Sequence, residues 1–439
     1  MQPHRGTAAA AAGCVLALLA GAATSAQVEP GVPAGPQPGV TLPPGPASPP
    51  SGGLARWLDP ATAPFIPIPL IDTDPYSGLT LGVIPTWLST NERDELVRIV
   101  APDVIHSQYF GWGADLSVYG FPSEDTQWRV LGGAKQRVER DLEAHYLHGQ
   151  TRVAPLSWSF NAIYDVNGTT RFFGIGNETP DYNESTYVND QISLEASIGY
   201  NFTRALQLAW GTRWRHVDVL PGVLSGIPSI ETLYPGVNGL GSEHALEETL
   251  TLTHDTRDSA LIPHSGARYL LYTGFASRSF GSSVAYSFFG AEARCYFALG
   301  DRTTLALHAG VRYMPSAAEA PFWALSSLGG DRSVIDGPEP LRSDGANRFA
   351  DENRLAAGAE LRTRIFGFNA FGTRVSLEAA PFIDAGKVFS NGGGNALSDM
   401  HTAVGLGMRG VASPYVVGYV DVGYGRGKVG IFSGINYPF

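Results

Sequence analysis

Two stretches of the chain place charged or flexible residues at spacings that chemistry uses. The first is Asp255-Thr256-Arg257-Asp258, with Pro263 and Gly266 following in "DTRDSALIPHSG". An arginine flanked by two carboxylates makes charge-assisted hydrogen bonds, and proline and glycine suit a chain reversal. This spacing predicts a pinned turn, not a reaction centre. The second stretch, "GRGKVG", sets Gly425, Gly427 and Gly430 in the G-x-G-x-x-G pattern. A phosphate-binding loop of that pattern follows a strand and opens a helix. Here Val429, Ile431, Ile435, Tyr437 and Phe439 alternate with Gly430, Phe432, Gly434 and Asn436, so a turn and a strand are expected instead. There is no G-x-S-x-G and no H-E-x-x-H, and the ten histidines are scattered. No catalytic residue, cofactor or metal is expected, and the chain does not read as an enzyme.

The elements around these residues are unusual for a soluble protein. Charged residues make up 16% of the chain, against about 25% in an ordinary soluble domain. Aromatics reach 11%, and there are 53 glycines. The balance is acidic, with 41 Asp and Glu against 30 Lys and Arg. No basic stripe interleaves with aromatics, which argues against a nucleic-acid partner. Arg5, the apolar run 8–20 and the small residues Thr24-Ser25-Ala26 predict a signal peptide over 1–26. Residues 27–64 are rich in Pro and Gly and read as an extended linker. Loss of Cys14 with the signal peptide leaves Cys295, so no intrachain disulfide is expected. No later apolar run is long enough for a membrane-spanning helix.

From 65 to 439 the chain alternates. In "RALQLAWGTRWRHV" Leu206, Leu208, Trp210 and Trp214 lie on one face, Gln207, Arg213 and Arg215 on the other. In "RTTLALHAGVRY" Leu305, Leu307, Val311 and Tyr313 oppose His308, Gly310 and Arg312. In "QISLEASIGYNF" Glu195 falls on the polar face. Such strands run ten residues or more, with aromatics near their ends. That pattern fits a transmembrane barrel, apolar towards lipid and polar towards a lumen, whose closure satisfies every backbone group. The expected fold is all-β, an antiparallel barrel of about sixteen strands. The barrel is expected over 65–439; the assignment begins its first strand at 79, treats 96–121 as one long strand and carries the last strand through 428–439.

Four segments carry a family resemblance: "LTHDTRDSALIPHSG" (252–266), "RFFGIGNET" (171–179), "LGGDRSVIDGPEPLRSDGANRFADENRLAAGAELR" (328–362) and "APFIDAGKVF" (380–389). In this order they resemble the BamA/TamA superfamily of outer-membrane barrels, the bacterial surface antigens. The resemblance implies an outer-membrane barrel with both termini periplasmic, inserted with the help of the barrel-assembly machinery and surrounded by outer-membrane lipid. It places the 255–266 turn on the periplasmic side and the 315–352 loop outside, folding into the lumen. It also implies that a loop arginine meets an acidic residue of the wall. Arg342 is the candidate here, with Asp384 and Glu360 facing inward by strand parity. Ser343 and Asp344 stand where the family has glycine and an aromatic, and Arg332 is the alternative arginine. Phe439 would close the apolar face of the last strand and serve as an insertion signal. The family's periplasmic POTRA repeats have no counterpart in 27–64. The implied role is protein or lipid insertion or translocation through a weak seam between first and last strands. A passive solute pore and a structural surface-antigen barrel are the alternatives.

Overall fold

The computed structural model describes residues 66–92, 96–334, 337–370, 373–392, 398–412, 416–435 and 437–439. The expected signal peptide and linker lie outside the described residues. The first strands are β1 (Ile66–Asp74), β2 (Gly78–Thr90), β3 (Leu96–Ser107), β4 (Gly111–Ser123), β5 (Thr126–Lys135), β6 (Arg140–His148) and β7 (Leu156–Asn167). A two-residue strand β8 (Arg171–Phe172) precedes β9 (Ser185–Asn201), β10 (Leu206–Pro221), β11 (Gly241–Asp255), β12 (Gly266–Ala276), β13 (Ala285–Ala298) and β14 (Thr303–Glu319). The short strands β15 (Ser326–Leu328) and β16 (Phe349–Asp351) pair within the long loop. The barrel resumes with β17 (Asn353–Ala370), β18 (Thr373–Phe389), β19 (His401–Ala412), β20 (Val416–Gly425) and β21 (Lys428–Ile435).

Leaving out β8, β15 and β16, eighteen antiparallel strands form a nearly closed barrel. Two differences account for the count above sixteen. The 96–121 segment is two strands, because Gln108, Tyr109 and Phe110 make a turn and Gly111 takes φ +77°. Apolar periodicity continues across that turn and hides it. A further strand, the proline-containing β1, precedes the one expected at 79 and pairs along its whole length with β2. Proline cannot donate to a ladder, so 66–74 does not read as a strand, yet an edge strand tolerates it.

The alternation becomes two surfaces. Across β10 and β11, Trp210 pairs with Leu250 and both are exposed to the lipid side, whereas Arg215 and Glu247 are buried in the lumen. The turn between β11 and β12 stands on the rim where β1 begins and β21 ends. The long loop between β14 and β17 starts from the opposite rim and descends into the lumen, where Leu328, Leu341 and Phe349 pack on Ala356, Val388 and Ala403 of the wall.

Phe439 departs from expectation. The last strand ends at Ile435, and Phe439 is only 4% exposed. Its ring packs with Tyr296 and Ala306 and lies 5.3 Å from the His308 ring. The terminal segment turns into the lumen, drawn there by Ser333 N–H donating to the Pro438 carbonyl (3.0 Å) and by Arg362 donating to the main-chain oxygen of Phe439 (3.0 Å). Phe439 therefore does not close the lipid-facing row.

Candidate functional site: a charge cluster in the lumen

The wall supplies the carboxylates. Strand parity turns Glu360 on β17, Asp384 on β18 and Asp421 on β20 inward, and all are fully buried. The loop supplies Arg342, also fully buried. Its Nε and Nη2 donate to Asp384 Oδ2 and Oδ1, both at 2.8 Å, and its backbone N–H donates to Asp384 Oδ2 at 3.1 Å. Its Nη1 donates to Glu360 (2.9 Å) and to Asp421 (3.0 Å). The guanidinium plane lies 3.5 Å from the centre of the Phe382 ring.

Arg409 bridges Asp421 and Glu360, and Arg362 reaches Glu360 at 3.2 Å. Three arginines thus face three carboxylates of the wall, so each buried charge has a partner of opposite sign. That balance matters because an uncompensated buried charge is very costly. Burial alone would lower the basicity of Arg342; Asp384 first, then Glu360 and Asp421, push it well above the usual arginine value.

The approach of the loop depends on missing side chains. A Cβ on Gly423 would lie 1.8 Å from the Arg342 carbonyl oxygen, and one on Gly425 would lie 2.6 Å from Ser343 Oγ. A Cβ on Gly430 would stand 3.1 Å from the same Arg342 carbonyl. Two glycines of the G-x-G-x-x-G pattern therefore line a cradle for the loop. The third, Gly427, takes φ +77° in the hairpin turn.

Ser343 and Asp344 bond to each other (2.8 Å), and Arg426 in the last hairpin turn donates to Asp344 at 2.8 Å. Arg332 sits elsewhere, against Tyr419 of β20 with its guanidinium 6.0 Å from the ring centre. Its neighbour Asp331 accepts from the Tyr419 hydroxyl. Arg332 and Arg342 thus make two separate attachments of one loop to the last strands.

The segment 171–179 closes over the same rim. Asn177 accepts from Val388 N–H (3.1 Å), and its carbonyl lies 2.8 Å from His401 Nε2. Arg348 donates to Thr179 and to Asp181 (2.9 Å). Asp181 also meets Lys428 at 2.7 Å and Arg426 at 3.4 Å. Its partial burial would raise its pKa, but hydrogen bonds from Lys428 and Arg348 overcome this and lower it to about 2.

At the other rim, Arg257 forks onto Asp255 with bonds of 3.0 and 2.7 Å. Asp258 does different work, accepting from the N–H groups of His264 (2.9 Å) and Ser265 (3.2 Å). Gly266 takes φ +94°, and a Cβ there would meet the Thr256 carbonyl at 2.3 Å. Pro263 lies in the same turn and faces the lumenal cavity. The turn is pinned as its spacing predicts, with Arg257 pairing with Asp255 alone of the two acids.

Sequence reading missed Asp421, Arg409 and Arg362 as members of the cluster. Parity held the signal: each alternates with lipid-facing neighbours, as Asp421 does between Val420 and Val422. Glu292, His308 and Glu339 bring ligand-type atoms within 4.8 Å of one another. Arg354 is 3.3 Å from Glu339 and Arg294 is 3.6 Å from Glu292, so arginines supply the positive charge there and the group is not assigned to a metal.

Residues 133–417 match the family model for the Omp85 superfamily domain. No curated protein matches the chain. Among solved structures, BamA from Haemophilus ducreyi lacking POTRA domains 1–3 aligns with TM-score 0.52 at 12% identity, over 80% of this chain and 75% of that one. CdiB from Escherichia coli aligns with TM-score 0.47 at 11% identity, over 84% of this chain and 62% of that one. Wzi from Escherichia coli, a carbohydrate-binding barrel involved in capsule assembly, aligns with TM-score 0.42 at 11% identity, over 84% and 82%.

Proposed function

We propose that this chain, which belongs to the Omp85 superfamily, handles polypeptide or lipid at the seam between its first and last strands. It is an outer-membrane barrel of that type. The observation that carries the reading is the junction of β1 with β21. Among the described residues, no backbone ladder joins them. Ser433 spans the junction instead, accepting from Thr73 N–H at 3.0 Å and donating to the Ile71 carbonyl at 3.2 Å. Every other neighbouring pair of barrel strands shares a ladder, so this edge opens at the lowest cost. Away from the junction, the arginine cluster ties β17, β18, β19 and β20 to the loop. In this reading both termini are periplasmic and the barrel-assembly machinery is the partner during insertion.

The test replaces Thr73 and Ser433 by cysteine in a Cys295→Ala background and oxidises the pair. Vesicle-reconstituted barrel, reduced and oxidised, is then scored for accelerating the insertion of a small unfolded outer-membrane barrel. Acceleration lost on oxidation and regained on reduction supports seam action. Equal rates in both states, or no acceleration in either, remove it.

A passive polar pathway has its own support. Beside the loop a cavity of about 620 Å³ extends from Tyr76 and Arg171 at one rim to Arg257 and Pro263 at the other. Steady conductance of the reduced and oxidised barrel alike, without assisted insertion, is the outcome that favours a pore.

A further inference from the structure

The lipid-facing surface contains a carboxylate at mid-depth. Along the outward row of β11 run His254, Leu252, Leu250, Glu248, Leu246 and His244. Thr212 of β10 pairs with Glu248, while the next lumenal residue, Glu247, is buried and bound to Arg213 and Tyr286. Glu248 therefore points away from the lumen, between leucines. A charged group in the apolar band is unfavourable, and one that is present calls for a function and a named partner.

The surroundings show what that partner must bring. Trp210 Nε1 donates to Glu248 Oε2 and Thr212 Oγ1 donates to Oε1, each at 2.8 Å. A carboxylate offers about four acceptor sites, so two remain, and both call for a donor. The site is also recessed. Thr212 pairs with Ala196 on its other side, and this low row lies between Ile198–Trp210–Leu250 and Leu194–Trp214–Leu246.

From this row we infer that Glu248, with Trp210 and Thr212, forms an intramembrane docking site for a membrane-embedded polypeptide segment that presents a lysine or arginine. Charge complementarity selects a cation. The depth of the site, with histidines only at the two ends of the row, selects a chain that runs within the bilayer over a lipid head group. A second copy of this barrel is disfavoured, since two barrels inserted in one orientation would bring like carboxylates together at one depth.

The experiment uses full-length barrel refolded in phosphatidylcholine vesicles and a labelled apolar spanning peptide with one central lysine. Energy transfer from a donor dye on the barrel's rim reads association. The lysine peptide should associate with the native barrel about tenfold more tightly than with Glu248→Gln, a difference typical of one strong intramembrane contact. A peptide with leucine in place of the lysine should not distinguish the two barrels. Glu248→Asp should retain part of the preference. Heat-modifiable mobility of each variant verifies folding, and Glu248→Leu gives a second, fully apolar comparison. Equal affinity of the lysine peptide for all variants overturns the proposal. So does barrel–barrel energy transfer that depends on Glu248 while the peptide does not bind, which would make the site a self-association surface.

Discussion

Arg342 and Asp384 are joined by three hydrogen bonds, two through the guanidinium and one through the Arg342 backbone N–H. The loop is thus held to the wall by main chain and side chain together. Replacing Arg342 by Ala leaves Glu360, Asp384 and Asp421 facing two arginines, and should cost about 3–5 kcal/mol. Loop proteolysis in intact cells and bilayer conductance should both rise. Arg342→Asp with Asp384→Arg should recover part of the native state. Arg342→Lys should not, because an ammonium lacks the planar fork. Arg332→Ala loosens only the Tyr419 attachment and should have the smaller effect; a larger one would move the lock to Arg332.

Gly423 tests the cradle independently of charge. A methyl group there meets the Arg342 carbonyl at 1.8 Å, and neither backbone can yield easily. Gly423→Ala should mimic Arg342→Ala in protease sensitivity and conductance, with a penalty of about 1–3 kcal/mol. Gly418→Ala, where an added Cβ meets nothing within 4 Å, is the control and should behave as the native barrel.

Asp181 gives the rim a pH dependence. Its carboxyl titrates at about 2 in the folded protein, below the ordinary value of about 3.9. A carboxylate with a lowered pKa stabilises fully above the ordinary value and loses that contribution as pH falls towards 2. The group is largely exposed, so the contribution is small and screened by salt. Conductance fluctuations in planar bilayers should grow between pH 4 and pH 2. Asp181→Asn should show the low-pH behaviour already at pH 7, and a pH-independent native trace would exclude the clasp.

Phe439 now carries a structural prediction beside its expected part in insertion. Its ring fills a buried space between Tyr296, Ala306 and His308. Phe439→Ala should lower the stability of folded barrel by about 3 kcal/mol, seen as a lower temperature for loss of compact gel mobility. Comparing the outer-membrane level of this variant with that of Phe439→Leu separates packing from recognition: leucine restores most of the apolar volume but not the aromatic ring.

The alternation of one apolar and one polar side chain is a local property, and it was legible without coordinates. It showed a barrel, turned Glu360 and Asp384 inward and marked Arg213, Arg215 and Arg312 as lumenal. The "DTRD" spacing likewise announced its turn, because those contacts span few residues. Register, closure and long-range partnership are not local. Nothing in "QYFG" interrupts the apolar period enough to reveal the turn between β3 and β4, and two prolines disguised β1. The meeting of Arg342 with Asp421, 79 residues away, and with Asp384, 42 away, required the loop to enter a space that exists only once the sheet has curled. The same closure made Gly423 and Gly430 a seat for the loop, drew Phe439 inward and left Glu248 facing lipid, since which neighbours a side chain meets is decided by the pairing of whole strands.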